Sequence, residues 1–363
     1  YPYCPSLNIY YEGLCRECDN ERISLCFKNN PRNRFFTNVF ADEWQGLRDA
    51  YFRAISQHQV RIVAPTPSYR DNLILLDNRF NDVEFQLIPH GLRHEFPEIL
   101  PSFSEMPESR LKILILGSLS VQKGGDLLRS CYQEILRFGD LFLLGCGVDG
   151  QYYQGKAGIN VIPVYKRESL SQLVAEIQPD LSLLLSVCPE TFSYTLSELM
   201  AMRIPVLATN LGAFADRIVD RRTGFLVDPK PQDLIAKLSD ICNERSLLDE
   251  VRSALRAKSP RKIDDMVADY HRFLPLGEKA LADYRVALAP VSRILTREDF
   301  LQHSNFIEYL ETQALFLREK IISTPLLGPW WRKIALKFLS GTVLFLRFCH
   351  NHLHKIRNTE KHV

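Results

Sequence analysis

The feature that most constrains the fold is a regular alternation of short apolar runs and amphipathic segments between residues 111 and 241. The apolar runs have the length of buried strands, and the segments between them repeat apolar residues at helical spacing. This alternation predicts a parallel α/β sheet covered by helices on both faces. The predicted strands are LKILILGSL (111–119), DLFLLGCG (140–147), INVIPVY (159–165), LSLLLSV (181–187), IPVLAT (204–209) and GFLV (224–227), and the predicted helices are GGDLLRSCYQEILRF (124–138), RESLSQLVAEIQ (167–178), SYTLSELMAM (193–202) and PQDLIAKLSDI (231–241).

The sheet type also predicts where a functional site lies. Ligands of open parallel sheets bind outside the carboxyl ends of the strands. We therefore expect the site in the loops that follow Leu116, Leu144, Val164 and Val187.

Composition excludes several classes of function. The 363 residues are 46% hydrophobic and 24% charged, as expected for a soluble globular protein of about two domains. A formal net charge of +2 gives no field that would indicate a nucleic-acid partner. No apolar run is long enough to predict a membrane-spanning helix. Nine cysteines without a secretory signal favour the reducing cytoplasm over a disulfide framework.

A pair of glutamates stands out in PETFSYTLSELM (189–200), with Glu190 on a predicted loop and Glu198 in the helix that follows. Thr191 or Ser193 can cap that helix, and eight helical residues rise about 12 Å, comparable to a diphosphate with a sugar at each end. A helix N-terminus offers free N–H groups and suits phosphate. The spacing indicates a nucleotide-sugar cradle; the alternative is a surface Glu pair on an ordinary amphipathic helix.

The residues around the pair resemble glycosyltransferase family 4 (group 1). Residues 189–229 contain, in order, two Glu separated by seven residues, a P-V-x-A strand, a Gly-containing turn and a G-F-L-V strand. ILGSLSVQKGGDLL (115–128) resembles the first donor-domain loop of the family, with Lys123 and Gly124 at its Lys-Gly. PETFSYTLSE, NLGAF and IPHG are similar to the subgroup that builds bacterial polysaccharides such as O-antigen.

The resemblance implies the GT-B fold, which has two Rossmann-like domains facing across a cleft. It implies a nucleotide-sugar donor, retention of anomeric configuration and no catalytic metal. Glu190 would contact the hydroxyls of the donor sugar, Glu198 the ribose, and Lys123 the departing diphosphate, so that Glu190 and Lys123 are the expected catalytic residues. The other expected donor-binding residues are Gly117, Ser118, Gly124, Tyr165, Thr191, Phe192 and Ser193.

One position departs from the family pattern. The family often has an Arg directly after the Gly of the first loop, where this chain has Ser118. A hydroxyl can bind phosphate but brings no charge. Either Lys166 or Arg167 substitutes for the missing cation, or the diphosphate binds more weakly.

Residues 1–96 predict an incomplete acceptor-side domain. The helix WQGLRDAYFRAISQ is followed by a strand, a helix and a strand in VRIVAPT, SYRDNLILLD and VEFQLIP, which is only the second half of a Rossmann-like domain. We expect either a fragment or a module of a longer enzyme. His90 either faces the cleft or has a structural role. Pro- and Ser-rich residues 97–110 form the expected linker, and residues 111–275 the donor domain.

Cys4, Cys15, Cys18 and Cys26 lie within twenty-three positions. The Cys15-x2-Cys18 spacing and four thiolates suit a structural zinc ion. The alternative is four reduced cysteines, some of them in the core.

Residues 276–363 predict a helical tail. The apolar stretch Ile334–Phe348 is too short and too charged to span a bilayer, but Trp330, Trp331 and the basic residues around it suit a helix in an anionic membrane interface. The alternative is a helix packed on another domain.

Together these features predict a retaining transfer of a sugar from a nucleotide donor to a saccharide or lipid-linked saccharide of a surface polysaccharide. The expected location is the cytoplasm, with peripheral contact to the inner face of the membrane, and no nucleic acid is expected as a partner. Two other functions fit the same residues: a sugar-nucleotide epimerase of GT-B fold, and a non-catalytic scaffold derived from a glycosyltransferase.

Overall fold

The computed structural model describes residues 4, 9–10, 13–15, 18–29, 41–57, 60–99 and 110–273. The chain divides into two units, Tyr1–Pro275 and Leu276–Val363. The second unit lies outside the described residues, and so does the interfacial helix predicted for it. Most of the predicted linker also lies outside them.

The N-terminal part contains a small parallel βαβ unit. Strands β3 and β4 pair in parallel, with Ile62 opposite Phe85, and helix α3 crosses between them, as the sequence predicts. Thr66 precedes α3, and Pro67 occupies its first turn, where a missing N–H costs nothing. The elements are β1 (Ile9–Tyr10), β2 (Gly13–Leu14), α1 (Asn20–Asn29), α2 (Ala41–Gln57), β3 (Ile62–Ala64), α3 (Pro67–Leu76), a 3-10 helix (Asn78–Asp82) and β4 (Phe85–Leu87).

The remainder of the described chain forms a six-stranded sheet in which every strand pair is parallel. Its strands are β5 (Leu111–Leu116), β6 (Gly139–Leu144), β7 (Ile159–Ile162), β8 (Leu181–Leu184), β9 (Val206–Thr209) and β10 (Phe225–Val227). Their order in the sheet is β10-β9-β8-β5-β6-β7. All six predicted strands form, each shortened at one end.

Helices cover this sheet on both faces. The predicted ones are α4 (Gly125–Ile135), α5 (Leu170–Ile177), α6 (Tyr194–Ala201) and α8 (Pro231–Asn243). Three further helices were not predicted: α7 (Ala213–Arg217), α9 (Ser246–Arg256) and α10 (Ile263–Phe273). Short 3-10 helices span Val121–Lys123, Gly147–Tyr153 and Arg167–Ser169.

Side chains alternate between two apolar clusters along the strands. In β5, Leu111, Ile113 and Ile115 join the cluster that contains residues of α4, α8 and α9. Leu114 and Leu116 point the other way, into the cluster of α5 and α6. This period of two, with both faces buried, is what a doubly covered parallel sheet requires.

The strand order creates a crevice at one point of the sheet. From β5 the chain moves outward through β6 and β7, and it then returns to the other side of β5 at β8. Such a reversal opens a crevice outside the carboxyl ends of the two central strands, here β5 and β8. Gly124 allows the two following loops to meet, because its φ is +86° and a Cβ there would lie 2.0 Å from the Leu185 carbonyl oxygen.

Helix α10 returns the chain to the N-terminal part. The backbone N–H of Leu92 donates to Arg261 at 2.9 Å, and that of Ile263 donates to Leu92 at 2.9 Å. Gly91 allows this approach, since a Cβ there would lie 2.0 Å from the Lys262 carbonyl oxygen.

The predicted zinc site falls beside α1 and α2. Cys4, Cys15 and Cys26 are buried, and Cys18 accepts a hydrogen bond at Sγ from Arg48, 3.2 Å away. Within the described residues, no three His, Cys, Asp or Glu side chains are grouped so that they could hold a metal ion. The zinc site stays a prediction.

In the part of the chain that the structure describes, no helix is both long and apolar enough to cross a membrane.

Candidate functional site

The loop that carries Glu190 leaves the sheet at the crevice. It runs from the end of β8 to the start of α6. The Glu190 carbonyl oxygen accepts a hydrogen bond from the Ala213 N–H at 2.8 Å. Gly212 lies against the same backbone, because a Cβ there would approach the Glu190 carbonyl oxygen to 2.6 Å. The NLGAF turn therefore holds the loop in place from its β9 side.

The Glu190 carboxylate is held at one of its two oxygens. Oε1 accepts hydrogen bonds from Lys123 Nζ, 2.5 Å away, and from Ser186 Oγ. Lys123 comes from the loop after β5, so the crevice brings together the two residues predicted to be catalytic. Among the described residues none donates to Glu190 Oε2, which leaves that oxygen available to a hydroxyl of a ligand. Ser186 is buried, and its carbonyl oxygen accepts from Thr209 Oγ1 at 2.5 Å.

Ser193, rather than Thr191, caps helix α6. Its side chain accepts a hydrogen bond from the Leu196 N–H at 3.2 Å. Its φ is +65°, a left-handed value that is uncommon and strained for a residue with a Cβ. Strained backbone of this kind persists where surrounding contacts fix it, and it clusters at functional sites.

Glu198 lies in α6 and is buried, with only 2% of its side chain exposed. Burial raises the pKa of Glu198, and the ion pair with Arg167 opposes that rise. Arg167 itself is half-exposed. The sequence offered Arg167 as a replacement for the cation missing at Ser118, whereas the structure pairs it with Glu198.

Tyr165 belongs to the same cluster as Glu198. Burial raises the pKa of Tyr165, Glu198 adds to that rise, and Arg167 opposes it. The ring lies against Gly145, where a Cβ would come within 2.6 Å of Tyr165 Cε1. A phenol, a carboxylate and a guanidinium thus meet beyond the carboxyl ends of β6 and β7.

A cavity of about 70 Å³ brings together five of the ten predicted site residues. Gly117, Ser118, Lys123, Glu190 and Ser193 all line it. Gly117 takes a φ of +103°, and Ser118 is exposed on the cavity wall.

Phe192 points away from that cavity. Its ring lies 4.8 Å from His90 and 5.5 Å from Tyr194, measured between ring centroids. The guanidinium of Arg217 stacks over the Phe192 ring, 4.1 Å from its centroid. Phe192 can therefore offer a ligand at Glu190 only its backbone, and His90 lies in an aromatic cluster.

Three residues at this site were not found from the sequence: Thr66, Ser186 and Arg217. Ser186 lies near the end of an apolar run, and a single polar residue there was the available signal. Thr66 and Arg217 are far from the loop in sequence, so only the tertiary structure brings them to it.

The geometry defines what the site can do. The half-exposed ammonium of Lys123 suits an anion, and so do the N–H groups at the start of α6, which have no partner among the described residues. The free oxygen of Glu190 suits a hydroxyl. Glu198 offers a second, buried carboxylate, and among the described residues no cluster provides a metal in place of Lys123.

Residues 110–244 match the family model for group 1 glycosyl transferases. No curated protein matches the chain. Sucrose-phosphate synthase from Thermosynechococcus elongatus is similar in structure, with 17% identity, a TM-score of 0.50, and coverage of 69% of this chain and 62% of that protein. The Anabaena HepE protein in complex with UDP is similar too, with 12% identity, a TM-score of 0.51, and coverage of 70% and 77%.

HepE in complex with UDP and glucose gives a third comparison, at 15% identity, a TM-score of 0.50, and coverage of 63% of this chain and 67% of that protein. These likenesses confirm the predicted α/β fold of GT-B type. The chain spans less than two thirds of sucrose-phosphate synthase.

Proposed function

We propose that this chain is a glycosyltransferase that moves a sugar, with retention of configuration, from a nucleotide-sugar donor to a saccharide or lipid-linked saccharide acceptor. The observation that carries the proposal is the meeting of Glu190 and Lys123 at the crevice of the sheet, beside the N-terminus of α6. The match of residues 110–244 to the group 1 model supports the same class of reaction.

In this proposal the donor lies along the start of α6. Glu190 Oε2 accepts hydroxyls of the transferred sugar, and Lys123 lies beside the diphosphate. Glu198 accepts the ribose hydroxyls, and the ion pair with Arg167 opposes the rise in the pKa of Glu198 that burial causes. A buried carboxylate needs such a partner, because burial alone disfavours its charge.

Departure of the diphosphate is the difficult step. The bond between the anomeric carbon and the diphosphate oxygen breaks, and its electron pair leaves with the diphosphate. The acceptor oxygen bonds to the same face of the carbon, and its proton passes to the departing oxygen. A fixed cation at the leaving group stabilises the negative charge that develops there.

We infer the donor base from similar structures and the acceptor from sequence motifs. Two similar structures hold UDP, so UDP-sugars are the first donors to test. The similarity of NLGAF and IPHG to polysaccharide-building enzymes favours a surface polysaccharide, such as O-antigen, as the acceptor. If the acceptor is lipid-linked, it lies at the membrane, and contact between this protein and the cytoplasmic face of the membrane would be useful.

The experiment is calorimetric titration of the chain with UDP-, GDP- and dTDP-sugars, followed by a transfer assay with the sugar that binds. Glu190→Gln and Lys123→Met are the test variants. Lys237→Met is the matched control, because Lys237 also faces a carboxylate, Asp220, at 3.7 Å but lies outside the site.

Binding of one nucleotide class, with release of nucleotide only when acceptor is present, supports the proposal. Interconversion of the sugar without release of nucleotide would indicate an epimerase. A folded protein that binds no nucleotide sugar would refute both enzymes and leave the scaffold.

A further inference from the structure

The backbone between Glu190 and α6 is bound along one side by two residues. Thr66 Oγ1 donates to the Thr191 carbonyl oxygen at 2.9 Å. Arg217 Nη1 donates to the carbonyl oxygens of Phe192, at 2.5 Å, and Ser193, at 3.0 Å. Three consecutive carbonyls are therefore held by side chains that come from outside the loop.

Fixing these carbonyls also fixes three N–H groups. In a trans peptide the N–H points opposite to the carbonyl of the same planar group. The bound carbonyls of residues 191, 192 and 193 thus aim the N–H groups of Phe192, Ser193 and Tyr194 to the opposite side. Within the described residues, none of these three N–H groups donates a hydrogen bond to the protein.

The two sides of the loop face different cavities. Thr66, Phe192 and Arg217 line a cavity of about 390 Å³. Ser193 lines the cavity of about 70 Å³ together with Lys123 and Glu190. The three N–H groups are consequently aimed toward the side where the proposed diphosphate lies.

Arg217 directs its hydrogen bonds to this loop and to helix α6. Its Nη2 donates to Ser197 Oγ at 2.7 Å, and its guanidinium covers the Phe192 ring. Among the described residues it forms no ion pair, although it is largely buried. Burial lowers the pKa of Arg217 to about 10, so the side chain stays charged at neutral pH. A charged group buried without a carboxylate is costly unless its donors are satisfied, and here carbonyls and a hydroxyl satisfy them.

The neighbouring residue ties this arrangement to the N-terminal part of the chain. Asp216 Oδ2 accepts from the Ser68 N–H at 2.9 Å, in the first turn of α3. Thr66 directly precedes the same helix. Helix α7 therefore links the start of α3 to the loop of Glu190.

We propose that Arg217, assisted by Thr66, is a positioning residue that orients the N–H groups of residues 192–194 as an anion-binding surface for the donor diphosphate. The inference rests on the proposed function. It assigns part of the protein's specificity for a diphosphate to residues that do not touch the donor. Preorganised N–H donors cost no rearrangement when the anion binds, which is why their orientation matters.

The test compares nucleoside diphosphates with their parent nucleosides. Affinities of wild type, Arg217→Gln, Arg217→Lys and Thr66→Val are measured for UDP, GDP and dTDP and for uridine, guanosine and thymidine by ligand-observed NMR titration. Arg203→Gln is the matched control. Arg203 lines the same 390 Å³ cavity and also donates to two carbonyls, those of Met200 at 3.2 Å and Lys258 at 3.1 Å, but neither belongs to the loop.

We expect Arg217→Gln to lower the affinity for the diphosphate by about tenfold or more, the loss of at least one charge-assisted hydrogen bond, with nucleoside affinity unchanged. Arg217→Lys should recover part of the loss, Thr66→Val should show a smaller loss, and Arg203→Gln none. Thr66→Val only replaces a hydroxyl with a methyl group of similar size, and so it tests the idea even if the Arg217 variants fold poorly.

Equal losses for nucleoside and diphosphate, or the same loss in Arg203→Gln, would mean that Arg217 only supports the fold. Unchanged affinities in the Arg217 and Thr66 variants would also overturn the inference, while the proposed function stands. A wild-type protein that binds no diphosphate would instead overturn the proposed function and this inference with it.

Discussion

Lys123 Nζ lies 2.5 Å from Glu190 Oε1, although the two residues are 67 positions apart in the sequence. They meet because β5 and β8 are neighbours in the sheet and the loops after them leave from the same edge. Gly124 lets these loops pack directly on each other. The ion pair is therefore a consequence of strand order, and each partner can be tested separately.

Replacement of Lys123 by Met should abolish most activity while leaving the fold intact. The side chain is 45% exposed, and exposed ion pairs add about 0–1 kcal/mol to stability. Loss of one fixed donor at a leaving group costs about 10²–10³ in kcat in other enzymes. We expect a fall of that order in the transfer assay, with little change in melting temperature. Lys237→Met should keep full activity, and a Lys123→Met enzyme that retained it would contradict the assigned role.

Gly124→Ala should destabilise the protein far more than Gly155→Ala. Both glycines have positive φ, +86° and +77°, so both substitutions incur a similar backbone strain of about 1 kcal/mol. Only at Gly124 would the new Cβ meet a backbone atom, the Leu185 carbonyl oxygen at 2.0 Å; nothing lies within 4 Å of the Cβ at Gly155. The difference between the free energies of unfolding of the two variants, measured by chemical denaturation, gives the cost of the clash. Equal free energies of unfolding would mean that the two loops do not need this close contact.

Glu198→Gln should stabilise the fold at neutral pH and weaken nucleotide binding. Because burial raises the pKa of Glu198 above its usual 4.5, folding favours the protonated carboxyl. This group's contribution to stability is present below pH 4.5 and is lost as the pH rises through the raised pKa. The amide keeps the shape of the carboxyl and never ionises. The variant should therefore gain in melting temperature relative to wild type as the pH rises above 4.5 and then level off.

Melting curves of both proteins between about pH 4 and pH 8 measure this difference. A constant difference across the range would show that Glu198 is not the titrating group. A stabilised variant that has also lost nucleotide affinity would mark Glu198 as a residue kept for function at a cost in stability.

The sheet was predictable because its signal is local. Each strand of residues 111–227 is a short, mainly apolar run, so composition and length suffice to identify it. Most of these strands are buried on both faces, and the edge strand β7, where Asn160 is exposed, is the exception. Helix α9 has the same kind of signal, since Leu247, Leu248, Val251 and Leu255 are buried at helical spacing. The helix was nevertheless not predicted. Helix α7 has only five residues, too few for a periodicity to be seen.

The site was only partly predictable. Glu190, Glu198 and Lys123 were found through motifs, and the crevice brings Lys123 to Glu190 as expected. The ion pair of Arg167 with Glu198 was not predicted, because a loop position does not say which way a long side chain points. Arg217 and Thr66 carry no local signal, since they act on backbone carbonyls, and backbone geometry is invisible in a sequence.

Replacement of Ser186 by Ala should weaken the binding of the donor sugar but not of the nucleotide. Ser186 Oγ is one of two donors to Glu190 Oε1, and it holds the carboxylate from the buried side. Without it the carboxylate depends on Lys123 alone, and its free oxygen is less well oriented toward the sugar. Loss of one hydrogen bond of this kind is worth about 1 kcal/mol, roughly fivefold in affinity.

The measurement is the ratio of affinities for a nucleotide sugar and for its nucleoside diphosphate. Ser182→Ala is the matched control, because Ser182 is equally buried in β8 but donates to the Leu114 carbonyl oxygen at 3.0 Å, away from Glu190. Both variants lose one buried hydrogen bond and should lose similar stability. Only Ser186→Ala should lower the ratio, since the proposed function places Glu190 at the sugar and not at the nucleotide. A lowered ratio in both variants would mean that general loosening of β8 causes the effect. An unchanged ratio in both would contradict the proposed contact between Glu190 and the sugar.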